Sequence, residues 1–190
     1  MSAAELTPPQ GLVLTLPGLW SSGPDHWQSH WERRWPGVFR RVEQRDWEAP
    51  AAADWIEALE AAALAAPGAL LAAHSLSCAL VCHFARRTRA TVAGALLVAP
   101  SDVEAPSYPR GPTGFEPMPM ERLPFPSIAV VSDDDTFVTV ERARAFAAAW
   151  GSRLAEVKGQ GHLNSGSRLG DWPLGLALLR ELRAGSCGAG

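Results

Sequence analysis

Six short apolar runs recur along the chain, at residues 12–16, 38–43, 69–73, 92–99, 127–132 and 153–158. Helical spacing separates them. Strand-then-helix alternation predicts crossover units around a mostly parallel sheet. The run GALLVAP, with no polar position, suits a central strand covered on both faces. The run at 38–43 is more polar and belongs near an edge. The pattern therefore predicts an α/β fold, a three-layer α/β/α sandwich with about six strands.

The helices have readable ends. Asp25 followed by Gln28 resembles a capping box, which predicts Asp25 as N-cap. Trp27, Trp31 and Trp35 recur every four residues, a core-facing stripe. The Ala-rich stretch 51–66 has high helix propensity and stops at Pro67-Gly68. Thr139 can cap a helix with Glu141 in its first turn, and Val140, Ala143, Ala147 and Trp150 form its inner stripe. Residues 105–126 resist this scheme, with seven prolines and no period. Unstructured connections longer than about 15 residues are usually binding loops or disordered. Tyr108, Phe115, Met118, Met120 and Phe125 inside it predict a packed loop. No internal repeat or second domain is visible, so a single domain with a core at about residues 11–182 is expected.

Composition narrows the class. With 190 residues, 47% hydrophobic and 19% charged, the chain can bury a sizeable core. A net charge of -3 argues against a nucleic-acid partner, which demands a basic face. Three cysteines, Cys78, Cys82 and Cys187, make no disulfide framework and point to a reducing compartment. The start, MSAAELTPPQ, lacks the basic-then-apolar pattern of a leader. No apolar run reaches the roughly 18–20 residues of a membrane span. The expectation is a cytoplasmic protein without a membrane partner. Cys187, in the ending CGAG, does not fit a prenylation box and is expected in a flexible tail.

The candidate chemistry centres on LAAHSLSCAL, residues 71–80. A strand ending near Ala73 and a helix beginning near Leu76 leave His74 and Ser75 in the turn. A nucleophile elbow holds its serine in a strained conformation between small neighbours two residues away. Here these are Ala73 and Ser77, both small, although the usual form has glycines. The competing reading of Ser75 is a helix N-cap. An elbow would aim the helix N-terminus at the reacting centre, with the N–H of Leu76 as half of an oxyanion hole. The other half would come from the loop after the first run, LTLPGLWSSGPDH, through the N–H of Leu19 or Trp20. Gly18 would permit the close approach.

A serine nucleophile needs a base. Of five histidines, His162 stands in the Gly-rich GQGHLNSG just beyond the last run, where it can reach the C-terminal edge of the sheet. His74 would be turned away by the elbow. An acid must hold the imidazole in the right tautomer. Asp133, Asp134 and Asp135 follow the run SIAVV and could alternatively form a solvated turn or cap; Asp102 is a reserve. The resulting order Ser, Asp, His is that of α/β-hydrolases. If the first run pairs beside the third with the second outside, the winding reverses between Leu16 and Ala73, where ligands bind in such sheets. His74, Cys78 and Cys82 could make a partial zinc face, but buried apolar cysteines are the preferred reading. No metal or cofactor is expected.

The blocks LPG with GPDHWQSHWE, AHSLSC, GALLVAPSD, LPFPSIAVVSDDDTF, ERARAFAAAWGS and GHLNSGSRLGDWP resemble the small single-domain serine hydrolases related to retinoblastoma-binding protein 9. These are compact α/β-hydrolases without a large lid. The resemblance implies Ser75 as nucleophile, His162 as base and Asp135 as acid. Thr136 and Ser77 depart from the family's usual proline and glycine. The expected function is cleavage of a carboxylic ester, or a thioester or amide, through an acyl-enzyme. The partner would be a small acyl substrate, with Trp20, Phe115, Met118 and Phe137 lining an apolar pocket. The alternative is an inactive hydrolase fold acting as an interaction module.

Overall fold

A computed structural model describes residues 6–186; Cys187 and the tail expected around it lie outside the described residues. The strands are β1 (Val13–Leu16), β2 (Phe39–Arg41), β3 (Ala69–His74), β4 (Val92–Val98), β5 (Ser127–Ser132) and β6 (Arg153–Val157). They form one sheet in the order β2-β1-β3-β4-β5-β6. Every neighbouring pair is parallel. The winding therefore reverses between β1 and β3, so the C-terminal ends of these strands open a crevice.

Among the described residues, five α-helices cover the sheet: α1 (Trp27–Arg34), α2 (Ala52–Leu64), α3 (Leu76–Ala85), α4 (Val140–Trp150) and α5 (Pro173–Ser186). Alternation along the strands sorts the core into two layers. Leu71, Ala73, Ala95 and Leu97 pack with Trp55, Leu59, Phe84, Phe146 and Trp150, from α2, α3 and α4. Leu70, Ala72, Leu96 and Val98 pack with Trp27, Trp31, Leu176 and Leu179, from α1 and α5. This is an α/β/α sandwich. Among the described residues, no helix is long and apolar enough to cross a membrane.

The start of α1 differs from expectation. His26, not Asp25, is the N-cap, and its Nδ1 accepts from the Gln28 N–H at 3.3 Å. The Gln28 side chain does not return to the cap. It is buried, donating to Ala72 O at 2.9 Å and accepting from the Ser22 hydroxyl at 2.6 Å. Trp27 and Trp31 face the core as the stripe predicts, but Trp35 follows the helix as C-cap and is half-buried. In α4, Thr139 caps as expected, while Phe146 is buried with Ala143, Ala147 and Trp150, leaving Val140 half-exposed.

The proline-rich segment is a packed loop. Phe115, Met118 and Leu123 are buried. Trp150 Nε1 donates to Pro119 O at 2.8 Å, and His83 Nε2 lies 2.9 Å from Phe115 O. Its first part, with Tyr108 and Pro109, overhangs the crevice.

Candidate active site

Ser75 stands between β3 and α3 at φ 57° and ψ -123°. A capping serine takes an extended conformation and accepts a helix N–H. Ser75 does neither, having positive φ and no side-chain capping bond. Its strained backbone instead presents Oγ at the end of the sheet. Two close contacts hold the elbow. The Ser75 N–H donates to Val98 O at 2.9 Å, and the buried Ser77 hydroxyl donates to Pro17 O at 2.6 Å. Ser77 thereby fastens the loop after β1 to the start of α3.

That loop presses on the elbow. A Cβ on Gly18 would lie 2.7 Å from the Ser75 Cβ and 3.0 Å from His74 O, so only glycine fits. Of the two proposed donors here, Trp20 is engaged elsewhere, its N–H donating to Trp47 O at 2.8 Å. This leaves Leu19. Leu76 is the first residue of α3, where backbone N–H groups have no partner within the helix. Below the loop, the Arg41 guanidinium bonds Ser22 O at 3.2 Å and the Ser29 hydroxyl at 2.7 Å, and pairs with Glu32.

His162 meets Ser75 from the loop after β6. Its Nε2 lies 2.9 Å from Ser75 Oγ, and its Nδ1 lies 2.9 and 2.8 Å from the two carboxylate oxygens of Asp135. The Asp135 side chain is 1% exposed. The carboxylate against Nδ1 fixes the proton there and leaves Nε2 as an acceptor. Asp135 is held in turn by the Phe137 N–H at 2.8 Å.

The other two aspartates shape the same loop. Asp134 accepts from the Ser132 hydroxyl at 2.6 Å and the Gly161 N–H at 2.7 Å. These bonds hold its carboxyl below the usual range. Asp133 accepts from the Gly159 N–H at 2.8 Å. The carboxylate of the reserve acid Asp102 is engaged by Arg142 instead, at 3.2 Å.

A cavity of about 370 Å³ opens at Ser75, with Leu19, Trp20, Tyr108, Phe137 and Asn164 in its walls. Of the four residues expected to line an apolar pocket, Trp20 and Phe137 are in these walls. Phe115 and Met118 are not. They are 2% and 3% exposed, and Phe115 packs edge-on against Trp55. The loop that carries them touches α3 through His83 and Phe115 O, and their apolar side chains join the core instead of the cavity.

The chain is similar in sequence and fold to known proteins. The sequence model of the family described as serine hydrolase matches residues 13–181. The chain belongs to the serine hydrolase family. A protein described as a YdeN-like hydrolase from Pectobacterium atrosepticum is 30% identical, with a TM-score of 0.79 over 92% of this chain and 91% of that one. The ydeN gene product of B. subtilis is 18% identical, with a TM-score of 0.76 over 92% of this chain and 100% of that one. An esterase domain from Rhodothermus marinus is 18% identical, with a TM-score of 0.68 over 94% of this chain and 88% of that one. No curated protein matches. Membership of this family supports hydrolase activity.

Several residues at this serine hydrolase's site escape sequence reasoning. His74 is not turned away. Burial and the neighbouring His26 and His162 push its pKa well below the usual value, so it is neutral. Its Nε2 lies 2.9 Å from the His162 carbonyl, so Nε2–H is the donor. His74 belongs to β3 and shares no helix face with Cys78 and Cys82, which are free and buried. Trp27 Nε1 donates to Leu163 O at 2.9 Å, tying α1 to the histidine loop. The tryptophan spacing signals the stripe, but nothing in it signals this partner. Ser101 Oγ lies 2.8 Å from Ser75 Oγ.

Proposed function

We propose that this serine hydrolase cleaves an uncharged carboxylic ester through an acyl-enzyme, as a carboxylesterase-type enzyme. Thioester and amide are the adjacent chemistries. The observation that carries the reading is the continuous chain from Ser75 Oγ through His162 to the buried Asp135 carboxylate, at 2.9 and 2.8 Å. In the proposed cycle, His162 Nε2 takes the Ser75 proton as Oγ bonds the acyl carbon. The carbonyl electron pair moves onto oxygen, facing the N–H groups of Leu76 and Leu19. Collapse expels the alcohol, which takes the proton from His162. Water, activated by the same imidazole, then releases the acid.

The cavity supports a small neutral substrate. Its volume falls at the low end of ligand pockets, and among the described residues no Lys, Arg, Asp or Glu lines it. The departure at Ser77, which favours an interaction module, is accommodated by the bond to Pro17. We place the chain beside the relatives of retinoblastoma-binding protein 9 on the sequence blocks quoted above. The free, buried Cys78 and Cys82 suit the cytoplasmic setting we propose.

Hydrolysis of short-chain p-nitrophenyl esters tests the function. Turnover by the wild-type protein should fall by on the order of 10⁴–10⁶ in Ser75→Ala. Equal turnover by the two proteins would overturn the proposal.

A further inference from the structure

The segment after β4 brings a second hydroxyl to the nucleophile. Ala99 turns the chain at φ 49°, and its N–H donates to Val130 O at 2.8 Å. Asp102 anchors the other side, through its own N–H to Phe137 O at 3.0 Å and its carboxylate to Arg142. Between these anchors Ser101 is 1% exposed. Its Oγ lies 2.8 Å from Ser75 Oγ.

The direction of this bond follows by elimination. Asp135 keeps the proton of His162 on Nδ1, so Nε2 must accept, and the Ser75 hydroxyl spends its one proton there. Ser75 Oγ can then only accept from Ser101. We propose that Ser101 is a catalytic residue of this site: its hydroxyl donates to Ser75 Oγ and stabilises the charge this oxygen carries while its bond to the acyl carbon forms or breaks. The inference rests on the serine hydrolase reading above and deepens it.

The advantage is differential. Against a neutral hydroxyl the bond is ordinary, but against an oxygen losing its proton it becomes charge-assisted and roughly twice as strong. Only such a difference accelerates the chemistry. Ser101 transfers nothing. In acylation the Ser75 proton goes to His162 as the Oγ–C bond forms. In deacylation the Oγ–C bond breaks, its electron pair returns to Oγ, and His162 gives the proton back. The same contact therefore serves both halves of the cycle. It also gives Ser75 Oγ a second hydrogen-bond partner besides the imidazole, which restricts its rotamer.

The test compares wild type, Ser101→Ala and Ser101→Cys, which keeps a weak donor on a slightly larger side chain. Fluorophosphonate inactivation and single-turnover ester cleavage report acylation, and decay of the isolated acyl-enzyme reports deacylation. Removal of the donor should slow both by about 10-fold, with KM and melting temperature unchanged and Ser101→Cys intermediate. Should Ser101→Ala not fold, Ser101→Cys carries the comparison and must be slower than wild type in both steps. Variant rates equal to or above wild type, or an effect confined to KM, would overturn the inference while leaving the hydrolase reading intact. A wild-type protein that neither labels nor turns over would overturn both.

Discussion

At the residue scale, the site is built from positions where a local preference is overridden. Ser75 would cap a helix with less strain in an extended conformation, yet its backbone is at φ 57°. Such positions cost about 1–3 kcal/mol and persist where neighbours enforce them. Gly18, Val98 and the Ser77 tether are those neighbours. Ser77 gives the sharpest residue-level prediction. Ser77→Ala leaves the buried Pro17 carbonyl without its donor and frees the loop that carries Leu19. The expected result is a stability loss of about 1–3 kcal/mol in denaturant titration. Turnover should fall about 10-fold with KM little changed, if one oxyanion donor is displaced only part of the time. Ser77→Thr, which keeps the hydroxyl, should retain most of the turnover.

At the element scale, legibility tracked how local each cause is. The strand Ser127–Ser132 coincides with its apolar run, because a buried strand needs an unbroken stretch and Pro126 marks where it begins. The edge strand is only three residues long, Phe39–Arg41, and Arg41 at its polar end is used to bond Ser22 O in the loop after β1. The start of α1 moved because Gln28, which reads as a capping partner, is used as a core hydrogen-bonding group beneath β3. α5 is absent from the pattern-derived elements, although Pro173 at its first position and Leu176, Leu179 and Leu182 carry the signal. Ser75 and His162 were readable from turn chemistry and chain order, and Asp135 through resemblance. Ser101, His74 and the Trp27 bond to Leu163 were not, since each joins segments far apart in the chain. α5 also supplies a prediction. Gly175 lies where a Cβ would meet the Trp172 ring at 2.2 Å, and Trp172 stacks on Trp31 with 5.8 Å between centroids. Gly175→Ala should expel or tilt that ring and lower stability by about 1–3 kcal/mol, read as a lower melting temperature. Unchanged melting would show the contact to be slack.

At the scale of the whole molecule, the packed histidines tie stability to pH. His26 is 3% exposed. Burial first, then Arg41, His162 and His30, lower its pKa from 6.5 to about 3. Between those values the unfolded chain binds a proton that the folded chain excludes. Its contribution is therefore complete above about pH 6.5 and is lost as pH falls toward 3, at up to about 1.4 kcal/mol per pH unit. His74, also depressed, adds in the same direction. Denaturant titrations from pH 7.5 to 5 should show falling stability. His26→Asn, which keeps a capping oxygen, should flatten the slope; an identical slope would assign the loss elsewhere. The measurement that bears most directly on the account is covalent labelling of the folded protein by a fluorophosphonate at neutral pH, with the modified residue located by mass spectrometry. The account predicts one adduct, on Ser75, lost in Ser75→Ala and strongly slowed in His162→Ala. Absence of labelling, or an adduct on any other residue, would contradict it.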